Sequence, residues 1–463
     1  MNHLDKDLVR LDEILNQVQK QSSGYLSQLH NRPTTGKINA DHTFTFSDEG
    51  LGTLGALQYF NEHFEPAIVA SSGPRYWGFV TGGTTPAAIA GDWLASVYDQ
   101  NTQSANGNGD ISATIEFETI KLLLSLFNLP EDFFGGFVTG ATISNFTCLG
   151  TARQWIGKQS ERDFAKDGVS GLIKVLAATP HSSAIKSLAM LGIGSNNVVK
   201  INVMPGNREA LDILDLESKI IALNGEPFIL ISSAGTVNTV DFDDFLAIQK
   251  LRERYNFWWH IDAAFGGFAA CSPKYQHLVA GWEQADSITI DCHKWLNVPY
   301  ESAVFFLKEK HKRLQMETFQ NANAAYLGDP LENFNYLNFL PENSRRLKAL
   351  PAWFSLMSYG KSGYQQIVES NVDHALLFAE FIESNEAFEM LAPVRLNTVC
   401  FSLKDKNNLD EFLHRLNATG KVFLTATMYN GVKGIRAAFV NWRTSAADIQ
   451  IATVEMNKIL TEL

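Results

Sequence analysis

The feature that most constrains this chain is a repeated alternation between residues 111 and 310. Short runs rich in β-branched and aromatic residues (LIKVLAAT, NVVKIN, PFILISSA, FWWHIDA, DSITIDC and SAVFFL) are separated by stretches of helical character. This predicts an α/β fold with a mainly parallel sheet, because parallel strands need crossovers long enough to hold a helix. A run such as FILIS, apolar without alternation, fits an inner strand buried on both faces. A helix is expected over about 113–127, then a glycine-rich turn at GGFVTGATISN, then another helix.

Outside this block the rhythm changes. Leu8, Leu11, Ile14, Leu15 and Val18 recur at helical spacing and predict an N-terminal helical arm over 7–30. Residues 71–110 are rich in turn formers around one helix near 86–99. From about 350 a long helical stretch precedes strands near 394–403, 421–427 and 434–440 and a final helix. The expected division is an N-terminal segment over 1–84, a large domain over 85–351 and a smaller α+β C-terminal domain over 352–463.

Charge and motif content exclude several function classes. The net charge is −12 with no dense basic run, which argues against nucleic acid and anionic membranes as partners. No run of about 18 apolar residues is present, so no membrane span is expected. The start, MNHLDKDLVRLDEIL, lacks a signal-peptide pattern, and the four scattered cysteines form no C-x-x-C pair. A cytoplasmic protein with reduced thiols is the expectation. No metal site is expected, since H-E-x-x-H and clustered Cys/His are absent. GIGSNN lacks the third glycine of a dinucleotide fingerprint and reads as a turn. YGKSG has Ser355 where a phosphate loop needs its first glycine, and reads as a helix end.

Five short segments carry candidate chemistry. Lys294, in DCHKWL, follows a strand; a buried lysine amine can be neutral and form a Schiff base. Asp262 ends the strand of HIDAAF, where a carboxylate can either cap a helix or pair with a pyridinium nitrogen. TGATISN precedes a helix whose N-terminal N–H groups suit phosphate. His181 follows another strand and could cap a helix or stack on a flat ring. Thr236 stands at the end of the FILIS strand. Each alone also has an ordinary structural explanation.

Their order along the chain is phosphate turn, His, Thr, Asp, Lys. With S-x(6)-K-W-L around Lys294 and D-A-A-F at 262–265, it resembles the group II amino-acid decarboxylases dependent on pyridoxal 5′-phosphate (PLP). The family includes aromatic-amino-acid, histidine, tyrosine and glutamate decarboxylases, and D-x-H-K-W-L-N-V-P-Y resembles a bacterial subgroup. The resemblance runs from GPRYWGFVTGG (73–83) to IRAAFVNWRTS (435–445). It implies an aspartate-aminotransferase-like fold and a homodimer with active sites at the interface. It implies that Lys294 carries PLP, Asp262 pairs with the pyridine nitrogen and His181 stacks on the ring. Ala264 and Thr236 would border the ring. Ala141 and Thr142 would contact the phosphate, with Asp291 and His293 near it and Ser344 approaching from the partner subunit; Arg346 would be structural. Thr81 would lie near the substrate carboxylate, with Trp77 and Phe79 lining the substrate pocket. Tyr326, in NAAYLGD, falls where the family places a mobile loop whose tyrosine protonates Cα after CO2 leaves.

The chain also departs from the family pattern. Gly73-Pro74 replaces a frequent His-Pro, Ser302 replaces Cys or Ala, and Asp291 stands where many relatives have Asn. Decarboxylation of an L-amino acid is the expected reaction. Aldehyde-forming oxidative deamination, transamination and a non-catalytic PLP-binding scaffold remain alternatives. The sequence does not choose the substrate.

Overall fold

The computed structural model describes residues 2–36, 46, 48–104, 111–320, 331 and 334–463. Its centre is a seven-stranded sheet of β1 (Phe133–Val138), β2 (Lys174–Ala177), β3 (Val198–Lys200), β4 (Phe228–Ser233), β5 (Trp258–Asp262), β6 (Ser287–Asp291) and β7 (Ala303–Lys308). The spatial order is β1-β7-β6-β5-β4-β2-β3. Strands β3, β2, β4, β5 and β6 are mutually parallel; β7 runs against both of its neighbours. All six residues of β4 are buried, as a continuous apolar run requires. Leu230 and Ile261 join one core layer, while Ile229, Ile231 and Trp258 join the layer on the opposite face.

Strand β1 was not anticipated. FFGGFV overlaps the stretch read as a glycine-rich turn, GGFVTGATISN, yet it is a fully buried strand paired with β7. Its glycines are required by close approach: a Cβ at Gly135 would stand 2.4 Å from the Phe305 carbonyl oxygen. Helix Ala141–Gln159 begins immediately beyond this strand, as expected.

The expected arm consists of helices His3–Val9 and Leu11–Ser27. The helices near 86–99 and 113–127 are Pro86–Tyr98 and Ser112–Leu126. YGKSG is a helix end followed at once by a second helix: Gly360, with φ +58°, breaks the helical run Ala349–Ser384 there. The boundary expected between 351 and 352 therefore falls within this helical run. Its Leu350, Leu356, Tyr364 and Val368 lie in a core layer of the large sheet. Its Ala375, Phe378 and Ile382 lie in the core of a second sheet. That sheet is antiparallel and comprises β8 (Phe388–Met390), β9 (Thr398–Leu403), β10 (Thr425–Tyr429) and β11 (Val432–Ala438), in the order β10-β11-β9-β8. Strand β8 was not anticipated, and β10 overlaps the expected 421–427 but is displaced toward the C-terminus. Among the described residues, no helix is long and apolar enough to cross a membrane.

Candidate active site

The chemistry-bearing residues gather beyond the carboxyl ends of the parallel strands, where an open α/β sheet leaves a crevice. Asp262 is the last residue of β5. Lys294 sits in a one-turn helix, Cys292–Trp295, directly after β6. His181 follows β2 and is the N-cap of helix Ser182–Met190; its Nδ1 accepts the Ser183 N–H at 3.2 Å. Capping and facing the cavity prove compatible.

Lys294, Asp262, His181, Thr236, Ala264 and Phe79 line one cavity of about 270 Å³. Two walls of this cavity are fixed by hydrogen bonds. Asp262 Oδ1 accepts the Ala264 N–H at 3.2 Å, and Oδ2 accepts the Asn145 amide at 3.0 Å. The Thr236 hydroxyl donates to buried Glu209 and accepts the Asp241 N–H at 2.9 Å. The protein around His181 excludes enough water to hold its imidazole below the ordinary value; Asp262 opposes this and Lys294 adds to it.

At the other end, Asp291 Oδ1 accepts the Ala141 N–H at 2.6 Å, and Oδ2 lies 2.7 Å from Lys294 Nζ. A carboxylate so placed accepts rather than donates: Asp291 holds the helix start and the lysine, which keeps it beside the site expected for the phosphate without offering that group a donor. Thr142 is half-buried in the first turn of the same helix, and its carbonyl accepts the Ser187 hydroxyl at 3.0 Å. His293 Nε2 stands 3.7 Å from Asp291 Oδ1, and its Nδ1 accepts the Ser302 N–H at 3.2 Å. Burial lowers its pKa as well.

The remaining expected site residues fall at different depths. Thr81 is buried and donates to the Gly78 carbonyl at 3.0 Å. Phe79 is 63% exposed, with φ +57°. Trp77 does not line the cavity: it is 1% exposed, packs on Phe378 and Phe439 in the small-sheet core, and donates its indole N–H to Pro74. Its bulk and apolar ring explain that placement better than substrate contact. Ser344 is exposed and does not line this chain's cavity. Tyr326 lies outside the described residues.

A family model described as the pyridoxal-dependent decarboxylase conserved domain matches residues 45–404. The chain belongs to this family. Similar proteins include a tryptophan decarboxylase of Camptotheca acuminata, 26% identical over 396 residues (81% of this chain, 78% of that protein). A phenylacetaldehyde synthase of Petunia hybrida is 26% identical over 401 residues (81% and 78%). An aromatic-L-amino-acid decarboxylase of Bacillus atrophaeus is 24% identical over 466 residues (95% and 93%). Among solved structures, the Oryza sativa TDC with PLP and tryptamine matches with a TM-score of 0.87 at 23% identity, over 98% of each chain.

This pyridoxal-dependent decarboxylase has the aspartate-aminotransferase-like fold of PLP enzymes and is a PLP-dependent enzyme of the carboxy-lyase family. The cavity suits that cofactor: an amine, a carboxylate and an imidazole converge on a space of about 270 Å³ beside a helix N-terminus. Reading the sequence missed two residues of this decarboxylase. Arg436, on β11, lines the cavity; its Nη1 donates to the Val237 carbonyl at 2.8 Å, and its buried Nε has no partner among the described residues. A lone charge inside the apolar run IRAAFV was the available signal. Asn145 stands within TGATISN, a motif whose reading rests on the backbone N–H groups of the helix start and not on this side chain.

Proposed function

We propose that this decarboxylase converts an L-amino acid to the corresponding amine and CO2, with an aromatic or apolar side chain preferred. The observation that carries the reading is the convergence of Lys294, Asp262, His181 and Arg436 on one cavity. PLP, when bound, supplies the electron sink for the bond broken at Cα. Lys294 would be its anchoring amine, Asp262 would pair with the pyridine nitrogen and His181 would cover the ring face. The N-terminus of helix Ala141–Gln159, with Thr142 in its first turn, takes the phosphate. Arg436 and Thr81 meet the substrate carboxylate at the mouth, and Phe79 contacts the side chain. Tyr326 donates the proton that Cα gains as CO2 leaves; a phenol, with an ordinary pKa of about 10, holds that proton at neutral pH.

The functional unit is proposed to be a cytoplasmic homodimer, with Ser344 entering the partner's site. Support comes from the exposed apolar residues Leu4, Leu8, Val9, Leu11 and Leu15 on the first two helices, and from four buried free cysteines.

The test is product analysis of PLP-loaded wild type and Lys294→Ala against a pool of L-amino acids. Wild type is expected to release CO2 and amine in equal amounts, and the variant neither. Aldehyde with ammonia and hydrogen peroxide would replace this reading with oxidative chemistry, the reaction class of the phenylacetaldehyde synthase relative. PLP binding without CO2 from any amino acid would replace it with a binding role.

A further inference from the structure

A histidine, an asparagine and two serines are buried behind Asp262, and burial of such groups is tolerable only when they are fully hydrogen-bonded. Their donors and acceptors can be ordered without ambiguity. The Trp258 indole N–H can only donate, and it donates to Ser287 Oγ at 3.1 Å. Ser287 Oγ still has its proton to give, and it is 2.9 Å from His260 Nδ1. His260 is fully buried and its pKa is pushed down to about 4, so the ring is neutral. The Asp262 carboxylate can only accept, which turns the Asn145 amide nitrogen toward it and Asn145 Oδ1 toward His260, so the ring proton sits on Nε2. That nitrogen is 2.8 Å from Asn145 Oδ1. The Asn145 amide nitrogen is then free to donate to both Asp262 Oδ2 at 3.0 Å and Ser183 Oγ at 3.1 Å. Ser183, having accepted, gives its proton to His181 Nδ1 at 2.7 Å. The Ser183 backbone N–H, which can only donate, points at the same Nδ1 and requires the same tautomer independently.

We infer that Asn145 is a positioning residue. Oriented by His260 in a donor chain that starts at Trp258, it fixes the Asp262 carboxylate and, through Ser183, keeps His181 Nδ1 an acceptor and Nε2 a donor. The inference rests on the proposed function, in which Asp262 meets the pyridine nitrogen and His181 the ring face. Both Asp262 oxygens have protein donors, so the carboxylate cannot rotate away from the cavity. One amide thereby sets two groups that approach the cofactor from different sides.

Two spectroscopic readouts test it. In cofactor-free wild type, nitrogen-15 NMR of histidine is expected to find His260 protonated on Nε2 and not on Nδ1. In protein loaded with PLP labelled at the pyridine nitrogen, Asn145→Leu is expected to shift that signal toward the neutral-pyridine position. Its kcat should fall roughly 10- to 100-fold, the range for one hydrogen bond to a charged group, with KM little changed. His260→Leu should behave likewise, and His260→Gln, which keeps an N–H donor, should recover much of the loss. If Asn145→Leu does not fold, Asn145→Ala takes its place: it removes the acceptor toward His260 and the donors toward Asp262 without adding apolar bulk, and the same shift is expected. A wild-type His260 protonated on Nδ1, or a folded Asn145 variant with wild-type pyridine signal and kcat, overturns the inference. Asp262→Asn separates the two levels: if it leaves the pyridine signal unchanged, the Asp262 reading itself fails. If the signal moves in Asp262→Asn but not in the Asn145 variants, only the relay fails.

Discussion

His260 also has a thermodynamic signature. Its pKa is about 4 in the fold against an ordinary 6.5, with burial as the main cause and Asp262 opposing. Between those values the unfolded chain binds a proton that the native protein does not, so stability falls as pH drops from about 6.5 to about 4 and levels off below. Wild type should therefore lose stability relative to His260→Gln across that window, by on the order of a few kcal/mol. Urea unfolding of both proteins at pH 7.5, 5.5 and 4.5 checks this (~2 units span the effect); parallel curves would contradict it. The H-I-D triplet was visible in the sequence, but only its Asp was weighed. The partners of His260, Ser287 and Asn145, are far away in sequence, and burial of polar groups is a property of the packed sheet. Lys294 and Asp262 were legible because their neighbours along the chain carry the family pattern. Trp77 was misplaced for the opposite reason: a motif gives a neighbourhood, not the direction in which a side chain points.

At the level of elements, β1 is held by a buried ion pair. Arg345 Nη2 donates to Glu116 at 2.6 Å and to the Phe137 carbonyl at 2.7 Å, and Glu116 accepts the Phe137 N–H at 2.7 Å. Both side chains are nearly inaccessible to solvent. Replacing Arg345 with Leu leaves buried Glu116 without its cation and with the Phe137 N–H as its remaining donor, and should cost about 3–5 kcal/mol in urea unfolding. Adding Glu116→Gln should return part of it. A loss under about 1 kcal/mol would show that the pair is not what anchors the strand. In the sequence, Arg345 is hidden beside Arg346, whose contacts to Asp92 and Ser96 lie at the surface. The apolar inner strands were legible because each is continuous; FFGGFV was not, because its glycines imitate a turn.

Across the whole molecule, Asn297 ties together three segments distant in sequence. Its Oδ1 accepts the Gly83 and Trp442 N–H groups at 3.0 and 3.1 Å, and its Nδ2 donates to Trp295 at 2.8 Å and Val440 at 3.0 Å. Gly82 is pressed against the same place: a Cβ there would stand 1.8 Å from the Lys294 carbonyl oxygen. Gly82→Ala must push the lysine segment outward. Stability should drop by about 1–3 kcal/mol and PLP affinity, read by absorbance titration, should fall at least about tenfold. Wild-type affinity in this variant would mean the segment yields without moving Lys294. The two-sheet layout was legible from the change of rhythm near residue 350, whereas this knot was not, since no local pattern records a contact between residues 83, 297 and 442.

The reversal of β7 has a consequence in time. Val138 of β1 pairs with Ala303, and β7 is also the neighbour of β6. On the ribosome, at about 5–20 residues per second, β1 is made on the order of ten to thirty seconds before its neighbour among the described strands exists. Until β7 emerges, β1 and the helix start that follows it have no place in the sheet, so a nascent chain is expected to seat the Lys294 segment and the Ala141 helix start together, in one late event.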